Sequence, residues 1–139
     1  MNRETVANYL GVALGSGLGT GARYLVSLIS LSVFGPAFPW GTLAVNLVGS
    51  ALIAWFATRA SALQSSWIAR WQPFLIAGFC GGFTTFSLFS LETLQLWQQS
   101  NGLTALVYAV GSPLLWLAAA WAGQRLARRQ MTSTRLGES

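Results

Sequence analysis

The sequence predicts an all-α membrane protein with four transmembrane helices, organised as one domain over residues 1–139. Three observations lead there. Four apolar segments follow one another at about 9–33, 41–58, 74–96 and 103–123, each near the length that crosses a bilayer. Charged residues make up 8% of the chain while 53% is hydrophobic; a soluble domain carries about 25% charged residues. The chain has no lysine, and all of its arginines but Arg23 lie between or beyond the apolar segments. That pattern is one of membrane topology, not of a nucleic-acid-binding face.

The first segment follows a short polar start with Arg3 and Glu4. It is too long for the apolar stretch of a signal peptide and is read as a retained span. Glycines at 11, 15 and 19 recur every four residues, as do those at 17 and 21, giving flat faces that admit a neighbouring helix. Arg23 stands well inside this run. A guanidinium at that depth either snorkels to the interface or takes an interior or vestibule place.

Pro36 and Pro39 mark an uncharged turn. In the second segment Thr42, Asn46 and Ser50 are four apart and make one polar stripe. An amide in mid-membrane is expensive alone, so Asn46 either ties helices together or faces a pathway.

The third segment holds the stretch Gly78-Phe79-Cys80-Gly81-Gly82-Phe83-Thr84-Thr85-Phe86-Ser87-Leu88-Phe89-Ser90-Leu91-Glu92. Two glycines and two β-branched threonines weaken a helix. Two readings stand: a helix broken in mid-membrane, or a continuous, closely packed, glycine-weakened rod. A break frees backbone groups that must be buried in protein, line a wet cavity or hold an ion. Glu92 is the one acid in the apolar segments. In the fourth segment Tyr108 and Ser112 form a second polar stripe, and Pro113 removes one helical hydrogen bond. Residues 124–139 read as an arginine-rich polar tail, disordered at its end.

Enzyme chemistry finds no support. The chain has no histidine and no paired carboxylates, and its one cysteine, Cys80, reads as a packing residue.

The run Gly81-Gly82-Phe83-Thr84-Thr85-Phe86-Ser87-x-Phe89-Ser90-x-Glu92 resembles the CrcB/Fluc family of fluoride channels. So do Gly15-x-Gly17-x-Gly19-x-x-x-Arg23-Tyr24, Gly41-Thr42-Leu43-Ala44-Val45-Asn46-Leu47 and the Tyr108–Ser112 spacing. The resemblance implies an antiparallel dimer with two pores along the subunit interface, exporting fluoride passively across the cell membrane. It implies that Asn46, Thr42, Phe86, Phe89, Tyr108 and Ser112 line the ion pathway. Arg23 and Glu92 then stand at vestibules. The backbone carbonyls of Gly81 and Thr84 hold a structural sodium ion (Na+) at the dimer centre. Leu88 departs from the family pattern, in which a small polar residue is common.

The residues suit that task on physical grounds. Fluoride is compact and strongly hydrated, so a pore must replace its water with donors. The amide and hydroxyls of Asn46, Thr42, Tyr108 and Ser112 are donors without fixed charge, and conduction needs weak, multi-site binding. Aromatic rings offer a positive edge. Two alternatives are weaker. A small four-helix multidrug or cation exporter needs a titratable intramembrane acid, and Glu92 lies towards a helix end. A purely structural subunit leaves the polar stripes without a role.

Four spans place both termini and the 59–72 loop on one side, with seven arginines there and none in the opposite loops. Both termini are therefore expected in the cytoplasm of a cell (inner or plasma) membrane protein. Such a bias suits one orientation. The second subunit is then either this chain inverted or a paralogue of opposite orientation, and the bias favours the paralogue. Epitope tags at both termini should be accessible from one side only in intact cells; a roughly equal split between the two orientations would refute the bias.

Overall fold

The computed structural model describes residues 2–64, 66–99 and 101–136, and side chains up to residue 133. Helix α1 spans Arg3–Phe34 and ends at Gly35, whose φ of 72° is open to glycine. Helix α2 spans Trp40–Ala62. A short helix, α3, covers Trp67–Arg70; Ser66 caps it by accepting the Ala69 N–H.

Next come a wide π-helical segment, Pro73–Cys80, and α4, Gly81–Phe83. Thr84 and Thr85 are then extended (ψ 159° and 126°). Helix α5 runs Phe86–Gln98, capped by Thr85 Oγ1, which accepts the Leu88 N–H at 3.2 Å. Helix α6 spans Gly102–Leu136.

Four stretches have the length and apolarity to cross a membrane: Arg3–Phe34, Trp40–Ala62, Pro73–Gln98 and Gly102–Ser133. The helices outrun the apolar segments at most ends, because apolarity marks the bilayer-facing part while helix continues into polar residues. The largest difference is at the C-terminus. Residues 124–136 are helical where a polar tail was expected, and residues 137–139 lie outside those described. Gln124 to Gln130 is rich in Gln, Arg, Leu and Ala, strong helix formers that continue α6 whatever their polarity. At 1.5 Å per residue, 35 residues reach about 52 Å, well beyond a hydrocarbon core of about 30 Å. Pro113 sits inside α6 without ending it.

Packing explains the glycines. Gly15 and Gly19 are the buried residues of α1. A Cβ on Gly19 would run into the Phe79 carbonyl, and one on Gly82 into the Ser16 carbonyl. The backbones of α1 and of the segment Pro73–Phe83 therefore touch. Gly17 and Gly21, the other spaced pair, face open space. On the far side, α2 packs along α6, where Gly123 lies against the Ala51 carbonyl.

The main buried apolar cluster joins α5 and α6 through Phe89, Leu96, Ala105 and Tyr108, with Phe38, Leu43 and Trp116 against it. Much of the remaining apolar surface, including most of α1, is exposed. This is the exterior of a chain whose surroundings are lipid or another subunit.

Gly19→Ala should lower the thermal unfolding midpoint in detergent by the equivalent of about 1–3 kcal/mol, the usual cost of overpacking. Gly17→Ala should change stability by less than about 0.5 kcal/mol. Equal midpoints for the two variants would contradict this packing.

Candidate functional site

Among the described residues, three polar side chains are buried: Thr42, Asn46 and Ser112. All three come from the polar stripes seen in the sequence. Helix periodicity puts Thr42 and Asn46 on one face of α2, towards α5 and the Thr84–Thr85 pair.

Asn46 is 4% exposed and engages Thr85 twice. Its Oδ1 accepts the Thr85 N–H at 2.7 Å and its Nδ2 donates to the Thr85 carbonyl at 2.8 Å. Only one orientation of the amide satisfies both backbone groups, so the geometry fixes which atom is oxygen. The side chain acts as a strand partner for one extended residue. Of the two sequence readings of Asn46, the tie between helices is thus observed, and one N–H of the amide remains beyond these two bonds.

Arg23 is half-buried. Its Nε donates to the Gly82 carbonyl at 3.2 Å, and Thr20 Oγ1 reaches the same oxygen at 3.4 Å. The helical donor for that carbonyl would be Phe86, which the extended pair carries into the next helix. The arginine therefore caps the end of α4.

Glu92 joins three elements. Thr42 Oγ1 donates to Oε1 at 2.7 Å, and the Tyr108 hydroxyl donates to Oε2 at 2.9 Å. Tyr108 is 1% exposed. A cavity of about 270 Å³ opens beside this cluster, lined in part by Ser27, Gly41, Thr42, Leu88, Glu92 and Gln95. Leu88 forms an apolar part of that wall.

The two phenylalanines three apart in α5 have different surroundings. Phe89 is 6% exposed, with its ring centre 5.0 Å from that of Tyr108 and 4.8 Å from that of Trp116. Phe86 is 70% exposed, its ring 5.5 Å from that of Phe89. Ser112 is buried on α6, one turn from Tyr108. The exposed Gly81 lies before the extended pair, and Thr84 is its first residue.

The fold thus brings Thr42, Glu92, Tyr108 and Phe89 together, sets Asn46 on the Thr85 backbone and sets Arg23 on the Gly82 carbonyl. Two participants are not among the site residues that the sequence suggests. Thr85 is the residue that Asn46 holds, and Trp116 is the ring that closes over Phe89. Trp116 repeats at four-residue spacing after Tyr108 and Ser112, and that register was the available signal.

These features define a multi-pass α-helical membrane protein with uncharged polar side chains buried on two of its helices. The chain belongs to the CrcB family: the family model described as "CrcB-like protein, Camphor Resistance (CrcB)" matches residues 10–124. It is similar to "Fluoride-specific ion channel FluC 1" of Rhodopseudomonas palustris (strain BisB18), with 45% identity over 130 residues, 91% of each chain. "Fluoride-specific ion channel FluC" of Anaeromyxobacter dehalogenans (strain 2CP-1 / ATCC BAA-258) is 47% identical over 124 residues, 88% of this chain and 97% of the relative. The protein of that name from Paramagnetospirillum magneticum (strain ATCC 700264 / AMB-1) is 45% identical over 116 residues, 83% of this chain and 91% of the relative.

Asn46→Ala should leave both backbone groups of Thr85 without their partner, at roughly 1–3 kcal/mol for each group that stays buried. Thermal unfolding of the purified protein should register this as a clear loss. Hydrogen exchange at the Thr85 amide should rise with it; an unchanged exchange rate would show that the amide does not hold this backbone.

Proposed function

We propose that this chain is a fluoride-specific ion channel that lets fluoride leave the cytoplasm passively. The observation that carries the reading is the set of uncharged polar side chains, Thr42, Asn46 and Ser112, buried inside so apolar a chain. The relatives named as fluoride-specific channels, 45–47% identical to this chain, supply the ion.

The extended pair Thr84–Thr85 is, in this reading, a break within the third span. Asn46 holds it open and keeps one N–H for the anion. Ser112 and Tyr108 continue the route along α6. At the Glu92 end, the hydroxyls of Thr42 and Tyr108 already donate to the carboxylate. A fluoride ion arriving there competes with Glu92 for those donors. The competition keeps binding weak, which conduction requires. The rings of Phe86 and Phe89 present positive edges and narrow the path.

A single chain leaves Phe86 exposed and much of α1 bare, which fits a second subunit in antiparallel orientation covering that face. That subunit is either this chain inverted or a paralogue of opposite orientation. Gly81 and Thr84 offer hard carbonyl oxygens near the same surface. The extended ψ of Thr84 takes its carbonyl out of the helical ladder. Two oxygens from each subunit are a reasonable cradle for a sodium ion, and such a cation supplies positive potential at the dimer centre when bound. With both termini in the cytoplasm, the arginine-rich end faces inward in the plasma or inner membrane.

The small-exporter reading needs a free acid for proton exchange. Glu92, the one candidate, has both oxygens engaged.

Liposomes loaded with fluoride and carrying the purified protein should release it passively, as read by a fluoride electrode. Phe86→Ile should cut this efflux sharply with little change in unfolding midpoint. Phe89→Ile should lower both, because that ring is buried against Tyr108 and Trp116. Wild-type efflux in both variants would sink the pore assignment, and drug-dependent proton movement would favour an exporter.

A further inference from the structure

A second cavity, of about 510 Å³, lies at the arginine-rich end, away from the Glu92 cluster. Its lining includes Glu4, Asn8 and Gly11 from α1, and Arg70, Trp71 and Phe74 from the entry to the third span. Opposite charges face one space here. Among the described residues, neither Glu4 nor Arg70 is engaged in an ion pair, and both are exposed. Glu4 lies in the first turn of α1, and Arg70 lies three residues before the Pro73–Gln98 span. Both charges therefore sit where these helices meet the membrane interface.

The walls are apolar and aromatic. The Trp71 ring stands edge-on to Phe74, with centroids 5.9 Å apart. Trp71 is also one of the exposed tryptophans, as is Trp67 beside it, and exposed tryptophans favour the headgroup level. Gly11 and Phe74 lie further into the two spans than Glu4 and Arg70 and give the cleft an apolar floor. A soluble ion has no use for such a floor, whereas a lipid does.

We propose that this cleft binds the headgroup of a phosphoethanolamine lipid. Its ammonium donates to the Glu4 carboxylate, its phosphate accepts from the Arg70 guanidinium, and its upper acyl chain lies along Gly11 and Phe74. The charge pattern selects this class. An anionic lipid satisfies Arg70 but meets Glu4 as a like charge. A choline lipid matches both charges, but its quaternary nitrogen has no N–H to donate. The inference rests on the membrane reading of the chain and not on the ion it conducts, so it stands or falls apart from the fluoride assignment.

The test is native mass spectrometry of the full chain released from nanodiscs with equal mole fractions of phosphatidylethanolamine and phosphatidylglycerol. The unaltered protein should retain the ethanolamine lipid roughly tenfold over the glycerol lipid, as one extra charge-assisted hydrogen bond allows. Glu4→Gln should bring the two within about twofold, and Arg70→Gln should release both. Phosphatidylglycerol retained as well as phosphatidylethanolamine on the unaltered chain, no retained lipid at all, or an undiminished preference in Glu4→Gln would overturn the proposal. The unaltered protein alone decides the matter if either variant fails to fold.

Discussion

Two hydrogen bonds between one side chain and one residue's backbone set the terms for this molecule. Thr85 is extended between two helices, and in an apolar setting its N–H and carbonyl have no water to turn to. Asn46 meets both, at 2.7 and 2.8 Å. With the amide in place the chain can pass through two extended residues and restart at a threonine cap. The helix that follows carries Glu92 to Thr42 and Tyr108, and Phe89 to Trp116. Arg23 performs a matching task by taking the carbonyl of Gly82, whose helical donor is lost to the extended pair.

The glycines and threonines of the central stretch divide the labour. The glycine pair stays helical: Gly81 has φ −62° and ψ −39°. Its neighbour Gly82 lets α1 approach to backbone contact. The extended conformation falls two residues later, on threonines whose branched β-carbons suit it. Gly49 on α2 accommodates the Thr84 methyl, so the extended pair is packed from the α2 side as well as hydrogen-bonded. Helix contacts without side chains and an extended pair held by a side chain thus occupy adjacent turns.

Several features were legible before any coordinates. The four apolar runs mark the spans, because hydropathy is a property of single segments. The Thr42–Asn46 stripe was legible from spacing, and it points inward as a polar stripe in an apolar chain must. The partners were not legible. Nothing in the spacing says that Glu92 takes hydroxyls from two different helices, or that Asn46 serves Thr85 and no other residue, since these pairings are set by tertiary packing. Phe86 and Phe89 look equivalent at three-residue spacing, yet one is buried and the other exposed, because α6 covers only one of them. The extent of α6 differs from the expected tail for another reason. Arginine and glutamine are polar, yet both are good helix formers. The helix they form is tied back to α2, where Trp55 and Arg59 both donate to Gln130.

The proposed function requires that the amide at position 46 both hold the extended backbone and border the anion's route. Fluoride efflux through Asn46→Asp, measured in liposomes on protein that still elutes as the folded species, tests it most directly. A carboxylate there puts a like charge in the path and faces the Thr85 carbonyl without a donor, so efflux should fall nearly to the rate of protein-free vesicles. Efflux at the wild-type rate would contradict the account.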